Sequence, residues 1–108
     1  MDDLTAASAY TDPVGADTDW VEHLRVPAMS LGTYSIRAGG VDDQTPHAED
    51  EVYVVVRGRA GFASGGRRVE VGPGSTLFVP ASEGHRFVDV TEDLTLVVVF
   101  APAESSPS

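Results

Sequence analysis

The apolar residues of this chain recur at every second position in short runs, and glycine, proline and acidic residues separate the runs. A period of two is the mark of strands with one face turned to a core. Trp20–Val26 predicts a first strand, although Trp20 and Leu24 share a face with Glu22, which breaks the pattern. Met29–Arg37 predicts a second, bounded by Pro27 and by Gly39-Gly40. Glu51–Arg57 is the clearest: Val52, Val54 and Val56 fall on one face and Glu51, Tyr53 and Val55 on the other. The second set is expected to point inward. Arg59–Ser64 and Arg67–Val71, joined by Gly65-Gly66, predict a hairpin. Ser75–Val79 is a strand ended by Pro80. His85–Val90 alternates with His85, Phe87 and Asp89 on one face, and Leu94–Phe100 is a last, wholly apolar strand.

Eight short strands with turn residues between them and no helical period predict an all-β sandwich or barrel. Residues 20–101 carry this pattern. Residues 1–19 are polar and acidic, broken by Pro13 and Gly15, and read as an arm with room for one helical turn near Leu4–Ala9. Residues 102–108, PAESSPS, read as a disordered tail.

Composition narrows the function classes. At 108 residues the chain fits one domain, and 42% apolar residues suffice for one core. There is no cysteine, so disulfides and thiolate metal sites are excluded, and any metal must rest on histidine nitrogen and on oxygen. The formal net charge is −10, there is no lysine, and Arg67-Arg68 is an isolated basic pair. Nucleic-acid binding, which needs clustered positive charge, is not expected. No apolar run approaches the roughly 18 residues of a membrane span. The start, MDDLTAASAY, has neither a basic region nor an apolar segment, giving the expectation of a cytoplasmic protein.

The chemistry lies in two segments. The first, ending in Gly58, contains His47 and Glu51 ahead of the clearest strand; the second, beginning at Gly74, contains His85 after the turn Ala81–Gly84. Two imidazoles and a carboxylate from separate strands suit a divalent ion with open coordination positions. Pro46 biases Thr45 toward an extended conformation, which helps feed His47 inward. Glu49 shares the parity of His47 and Glu51 and is a rival carboxylate, whereas Asp50 is expected to be exposed. Arg37, Arg57 and Arg86 are possible contacts for an anionic substrate, and His23 is expected to be structural or at the surface.

Together the two segments resemble the paired motifs of the cupin family. Gly40, His47, Glu51 and Gly58 match the first motif, with Thr45 where that family has its first histidine. Gly74, Pro80 and His85 match the second, with Ser82 in place of a glycine and Asp89 in place of an asparagine. The resemblance spans roughly residues 26 to 101. It implies a jelly-roll (double-stranded β-helix) barrel, often metal-binding and often dimeric. The ligand set it implies is His47, Glu51 and His85; Gln44, next to Thr45, is a candidate fourth donor through its amide oxygen, although in an extended segment it points away from the His47 face. Fe2+ is favoured, and Mn2+, Ni2+ and Zn2+ are alternatives. Tyr53, Phe78 and Phe87 are expected to line the cavity, and Asp89 to accept a hydrogen bond from a ligand histidine.

The functional expectation is a small metalloenzyme of oxidoreductase or dioxygenase type acting on a small organic molecule. Its alternatives are a metal-dependent isomerase or cyclase and a non-enzymatic binding module. Both faces of Glu51–Arg57 and Leu94–Phe100 are apolar, which predicts a homodimer covering part of the outer sheet.

Overall fold

Turn residues set the strand ends, and the strands that result close into two facing sheets. The computed structural model of the chain describes residues 1–105. Its strands are β1 (Thr18–Val26), β2 (Met29–Ile36), β3 (Asp50–Arg57), β4 (Ala60–Ser64), β5 (Arg67–Val71), β6 (Thr76–Val79), β7 (His85–Val88) and β8 (Leu94–Ala101). One sheet has the order β1-β2-β8-β3-β6 and the other β5-β4-β7, all pairs being antiparallel. This is the all-β jelly-roll barrel expected from the sequence. Gly58, at φ +98°, turns β3 into β4; a Cβ there would lie 2.3 Å from the Asp93 carbonyl oxygen, so only glycine fits.

The core lies between the sheets. Ile36, Tyr53, Val55, Leu94, Leu96, Val98 and Phe100 from the large sheet pack on Ala60, Phe62, Val71 and Phe87 from the small one. The expected register of β3 is present: Glu51, Tyr53 and Val55 are buried, while Val52, Val54 and Val56 are half-buried on the outer face. A shift of one residue would exchange these sets.

β1 departs from regular alternation at a bulge between Glu22 and Leu24. Trp20 pairs with Tyr34 on the inner face, but the extra residue His23 carries Leu24 to the outer face, opposite Leu31. This explains the mixed pattern of that strand in the sequence. His23 binds the Thr33 hydroxyl at 2.9 Å.

Both termini are more ordered than their composition suggests. Thr5–Ser8 forms a 3-10 turn with Ala7 buried, whose carbonyl accepts from Thr33 Oγ1 at 2.5 Å. The Thr11 N–H donates to Ser35 Oγ at 3.0 Å. The two hydroxyls sit on the outer face of β2 and satisfy backbone groups of the first segment, so that segment is docked rather than free. The disordered tail expected over residues 102–108 is also corrected in part. Glu104 is 2% exposed, its N–H donates to Ser30 Oγ at 2.9 Å, and its carbonyl accepts from Arg25 at 2.8 Å. Residues 106–108 lie outside the described residues.

Candidate functional site

His47, Glu51 and His85 reach the barrel interior from three places: the loop before β3, the start of β3 and the start of β7. One potential ligand atom from each lies within 4.8 Å of the others. The loop is held by Asp42, a buried carboxylate that accepts from Tyr34 Oη (2.7 Å), Gln44 Nε2 (2.7 Å) and the Phe87 N–H (2.8 Å). His47 is held by the Ser82 N–H, which donates to its carbonyl at 2.7 Å. Ser82 does this with φ +68°, the left-handed conformation for which the motif carries glycine. Thr45, at the missing histidine position, is exposed and takes no part.

His85 Nδ1 lies 2.9 Å from the Glu83 carbonyl oxygen. A carbonyl only accepts, so Nδ1 carries hydrogen and Nε2 is turned to the interior. Nε2 lies 2.9 Å from Tyr53 Oη and 3.1 Å from Glu51 Oε1. Burial lowers the pKa of His85, but the adjacent Glu51 carboxylate and the Glu83 carbonyl outweigh it and the net shift is upward. Burial, followed by the charge of Glu51, holds the Tyr53 hydroxyl well above its ordinary value, so Tyr53 acts as a neutral hydroxyl. The Glu51–His85 separation is an ion-pair distance without hydrogen-bond alignment, and both Glu51 oxygens are buried with no donor among the described residues. A buried carboxylate without donors is costly, and a cation beside it removes the cost. The three residues therefore fit a divalent ion.

His47 has a partner that the motifs do not contain. Its Nδ1 lies 3.0 Å from Glu104 Oε2, and the Glu104 side chain is 1% exposed. With Nδ1 facing that carboxylate at ion-pair distance, Nε2 is the His47 nitrogen left for the interior, as where a carboxylate orients a ligand histidine. Burial, together with Glu49 and Glu51, pushes the Glu104 carboxyl up to about 7 against the opposing effect of Arg25. Glu104 Oε1 has no hydrogen-bond partner among the described residues. Nothing in the sequence singles out Glu104, which stands beyond the last strand in a segment of tail-like composition.

A cavity of about 440 Å³ opens beside these groups, lined among others by Trp20, Tyr34, Tyr53, Phe100, Gln44 and Glu104. Trp20 rests on Gly32, where a Cβ would fall 2.4 Å from its ring. Tyr53 lines the cavity as expected. Phe87 is buried, but it packs edge-on to Tyr53 and against Phe62 in the core and does not line the cavity. Phe78 does not belong to the interior: it pairs with Val52, shares its outward face and is 63% exposed. Gln44 is committed otherwise, its Oε1 accepting from Tyr53 Oη at 2.9 Å and its Nε2 donating to Asp42.

Asp89 is also corrected. β7 ends at Val88, and Asp89 turns at φ +49° to meet Arg68 at 2.9 Å on the surface. Support for His85 comes instead from the Glu83 carbonyl and from the chain Asp42–Gln44–Tyr53. The rival carboxylate Glu49 is buried, but it accepts from Ser105 Oγ at 2.7 Å and stands outside the three-residue group. Arg37, Arg57 and Arg86 do not line the cavity.

A small jelly roll with two histidines and a glutamate converging in its interior defines a class of protein, and the chain belongs to it: the cupin-domain family model matches residues 32–101. An uncharacterized protein of Streptomyces coelicolor is 45% identical over 105 residues, covering 97% of this chain and 95% of that protein. Among solved structures, a double-stranded β-helix protein of Klebsiella pneumoniae superposes with TM-score 0.76 at 17% identity, covering 86% of this chain and 84% of that one. TT1209 of Thermus thermophilus superposes with TM-score 0.75 at 21% identity, covering 95% and 97%. These structures share the fold. Among the described residues, no helix is long and apolar enough to cross a membrane.

Proposed function

We propose that this cupin is a small metalloenzyme that binds one divalent ion per chain through His47, Glu51 and His85 and acts on a small organic molecule in the adjoining cavity. The observation that carries this reading is the Glu51 carboxylate, buried with both oxygens lacking donors between two imidazoles. Two histidines and one carboxylate form the donor set of non-haem iron oxygenases, so Fe2+ and oxidoreductase or dioxygenase chemistry are favoured. When bound, such an ion supplies Lewis acidity or redox capacity at positions left open to a ligand.

The protein's own groups hold and orient. The Glu83 carbonyl and the Glu104 carboxylate each engage an Nδ1 and leave an Nε2 for the interior. Tyr53 Oη, neutral and 2.9 Å from His85 Nε2, can hold or pass a proton at the edge of the cavity. Trp20, Phe100 and Val98 supply an apolar wall that keeps water from the reacting end of a ligand.

One observation favours a second reading, a metal-free binding module. His85 can balance Glu51 as an imidazolium that donates to Glu83 and Tyr53, and Glu104 already partners His47. Elemental analysis after reconstitution with Fe(II), Mn(II), Ni(II) or Zn(II), followed by oxygen uptake with candidate substrates, separates the two. About one equivalent of metal in the wild type, lost in His85→Ala and His47→Ala variants that stay folded, supports the metalloenzyme. A wild type that takes up none of the four metals establishes the binding module instead.

A further inference from the structure

We propose that the cavity selects an organic cation, a small molecule whose ammonium group is held among carboxylates and aromatic rings. This rests on reading the cavity as the ligand site.

The charge around it has one sign. Asp19, Asp43, Glu51 and Glu104 all line it, and none of the chain's seven arginines does; the chain has no lysine. The arginines that form ion pairs do so elsewhere: Arg25 with Glu22, Arg37 with Asp17, Arg59 with Glu92, and Arg68 with Glu70 and Asp89. Arg25 meets only the backbone carbonyl of Glu104. An acidic rim by itself is commonplace on a chain of net charge −10. What marks this one is Glu104, whose side chain is 1% exposed, lines the cavity and leaves Oε1 without a partner among the described residues. A buried carboxylate oxygen lacking a donor in the wall of a ligand-sized cavity is an unsatisfied acceptor beside the ligand.

The aromatic groups agree with the charges. Trp20 meets Phe100 and Tyr34 edge-on, with centroids 6.0 and 6.5 Å apart, and all three line the cavity. Aromatic faces beside carboxylates are the surroundings that hold alkylammonium groups. A divalent ion at His47, Glu51 and His85 takes up only Glu51. Asp19 and Asp43 remain as free carboxylates, so the preference for an ammonium over a neutral ligand holds with and without metal. In the metal-free protein a carboxylate or phosphate ligand would meet these groups with no arginine or lysine in the wall to offset them.

Calorimetric titration of the full chain with benzylammonium, benzyl alcohol and benzoate tests this, because the three differ mainly in charge. In metal-free protein benzylammonium should bind about tenfold or more tightly than benzyl alcohol, with benzoate weakest. The ranking of the first two should persist in zinc-loaded protein. The double variant Asp19→Asn/Asp43→Asn should narrow the benzylammonium preference. Equal or tighter binding of benzyl alcohol or benzoate to the metal-free protein overturns the inference. So does failure of all three to bind at millimolar concentration, or an undiminished preference in the double variant. Zinc stoichiometry, measured separately, reports on the metal site, so either reading can fail while the other stands.

Discussion

Glu104, from the segment after the last strand, places Oε2 3.0 Å from Nδ1 of His47, in the loop before β3. The contact joins a segment outside the motifs to the histidine that the first motif retains. Thr45, at the position of the missing histidine, is exposed.

If Glu104 positions His47, removing its carboxylate should loosen metal without unfolding the barrel. Glu104→Ala is expected to weaken metal affinity by about 10- to 100-fold, as loss of a carboxylate behind a ligand histidine generally does. Glu104→Gln, which keeps an acceptor oxygen, should lose less. Chelator competition measures both, and circular dichroism confirms the fold. Equal affinity in Glu104→Ala and the wild type would show that the carboxylate does not support the histidine.

The metal-free protein should lose stability as pH rises from about 5 to 8. The Glu104 carboxyl is raised from 4.5 to about 7, so its contribution is fully present below 4.5 and is lost as pH rises through 7. His85 is raised above 6.5, so its contribution is present below 6.5 and is lost as pH passes its folded value. The acid limb is set by Asp17 and Asp3, whose pKa values are lowered from 3.8 by hydrogen bonds and whose contributions are lost as pH falls through their folded values. Bound metal should reverse the neutral-pH decline, because it requires the deprotonated ligands. Thermal melts across the range, with and without zinc, measure this; a metal-free melting temperature that rises from pH 5 to 8 would contradict it.

Ser82→Gly should stabilise the protein. A non-glycine residue in the left-handed region costs about 1–2 kcal/mol, and the added freedom of glycine in the unfolded chain returns about 0.4–1 kcal/mol of that. The net gain is about 0.5–1 kcal/mol, read from the urea midpoint. The N–H donated to the His47 carbonyl is backbone and survives the change, so metal affinity should not fall.

The outer face of the large sheet presents Val52, Val54, Val97, Val99 and the 63%-exposed Phe78. The 3-10 segment packs on β2 and β8 around Thr33. A second copy of the chain is the expected cover, giving sedimentation at twice the chain mass at micromolar concentration. Phe78→Asp should shift that equilibrium to monomer. A wild type that sediments only as monomer would leave the face uncovered.

The strands, their turns and the register of β3 can be read from the chain alone. These depend on local alternation and on glycine and proline, which act within a few residues. The sequence also singled out His47, Glu51 and His85, because motif spacing along neighbouring strands fixes which side chains share the interior. The remaining features depend on contacts between distant segments or on single backbone deviations. The bulge at His23 moved Leu24 to the outer face, and the left-handed turn at Asp89 took its carboxylate away from His85. Pairing of β6 with β3 turned Phe78 outward with Val52. Glu104 became part of the site because Ser30, Arg25 and His47 converge on it from three other segments. No local pattern encodes such a convergence, since the partners become neighbours only when the barrel closes.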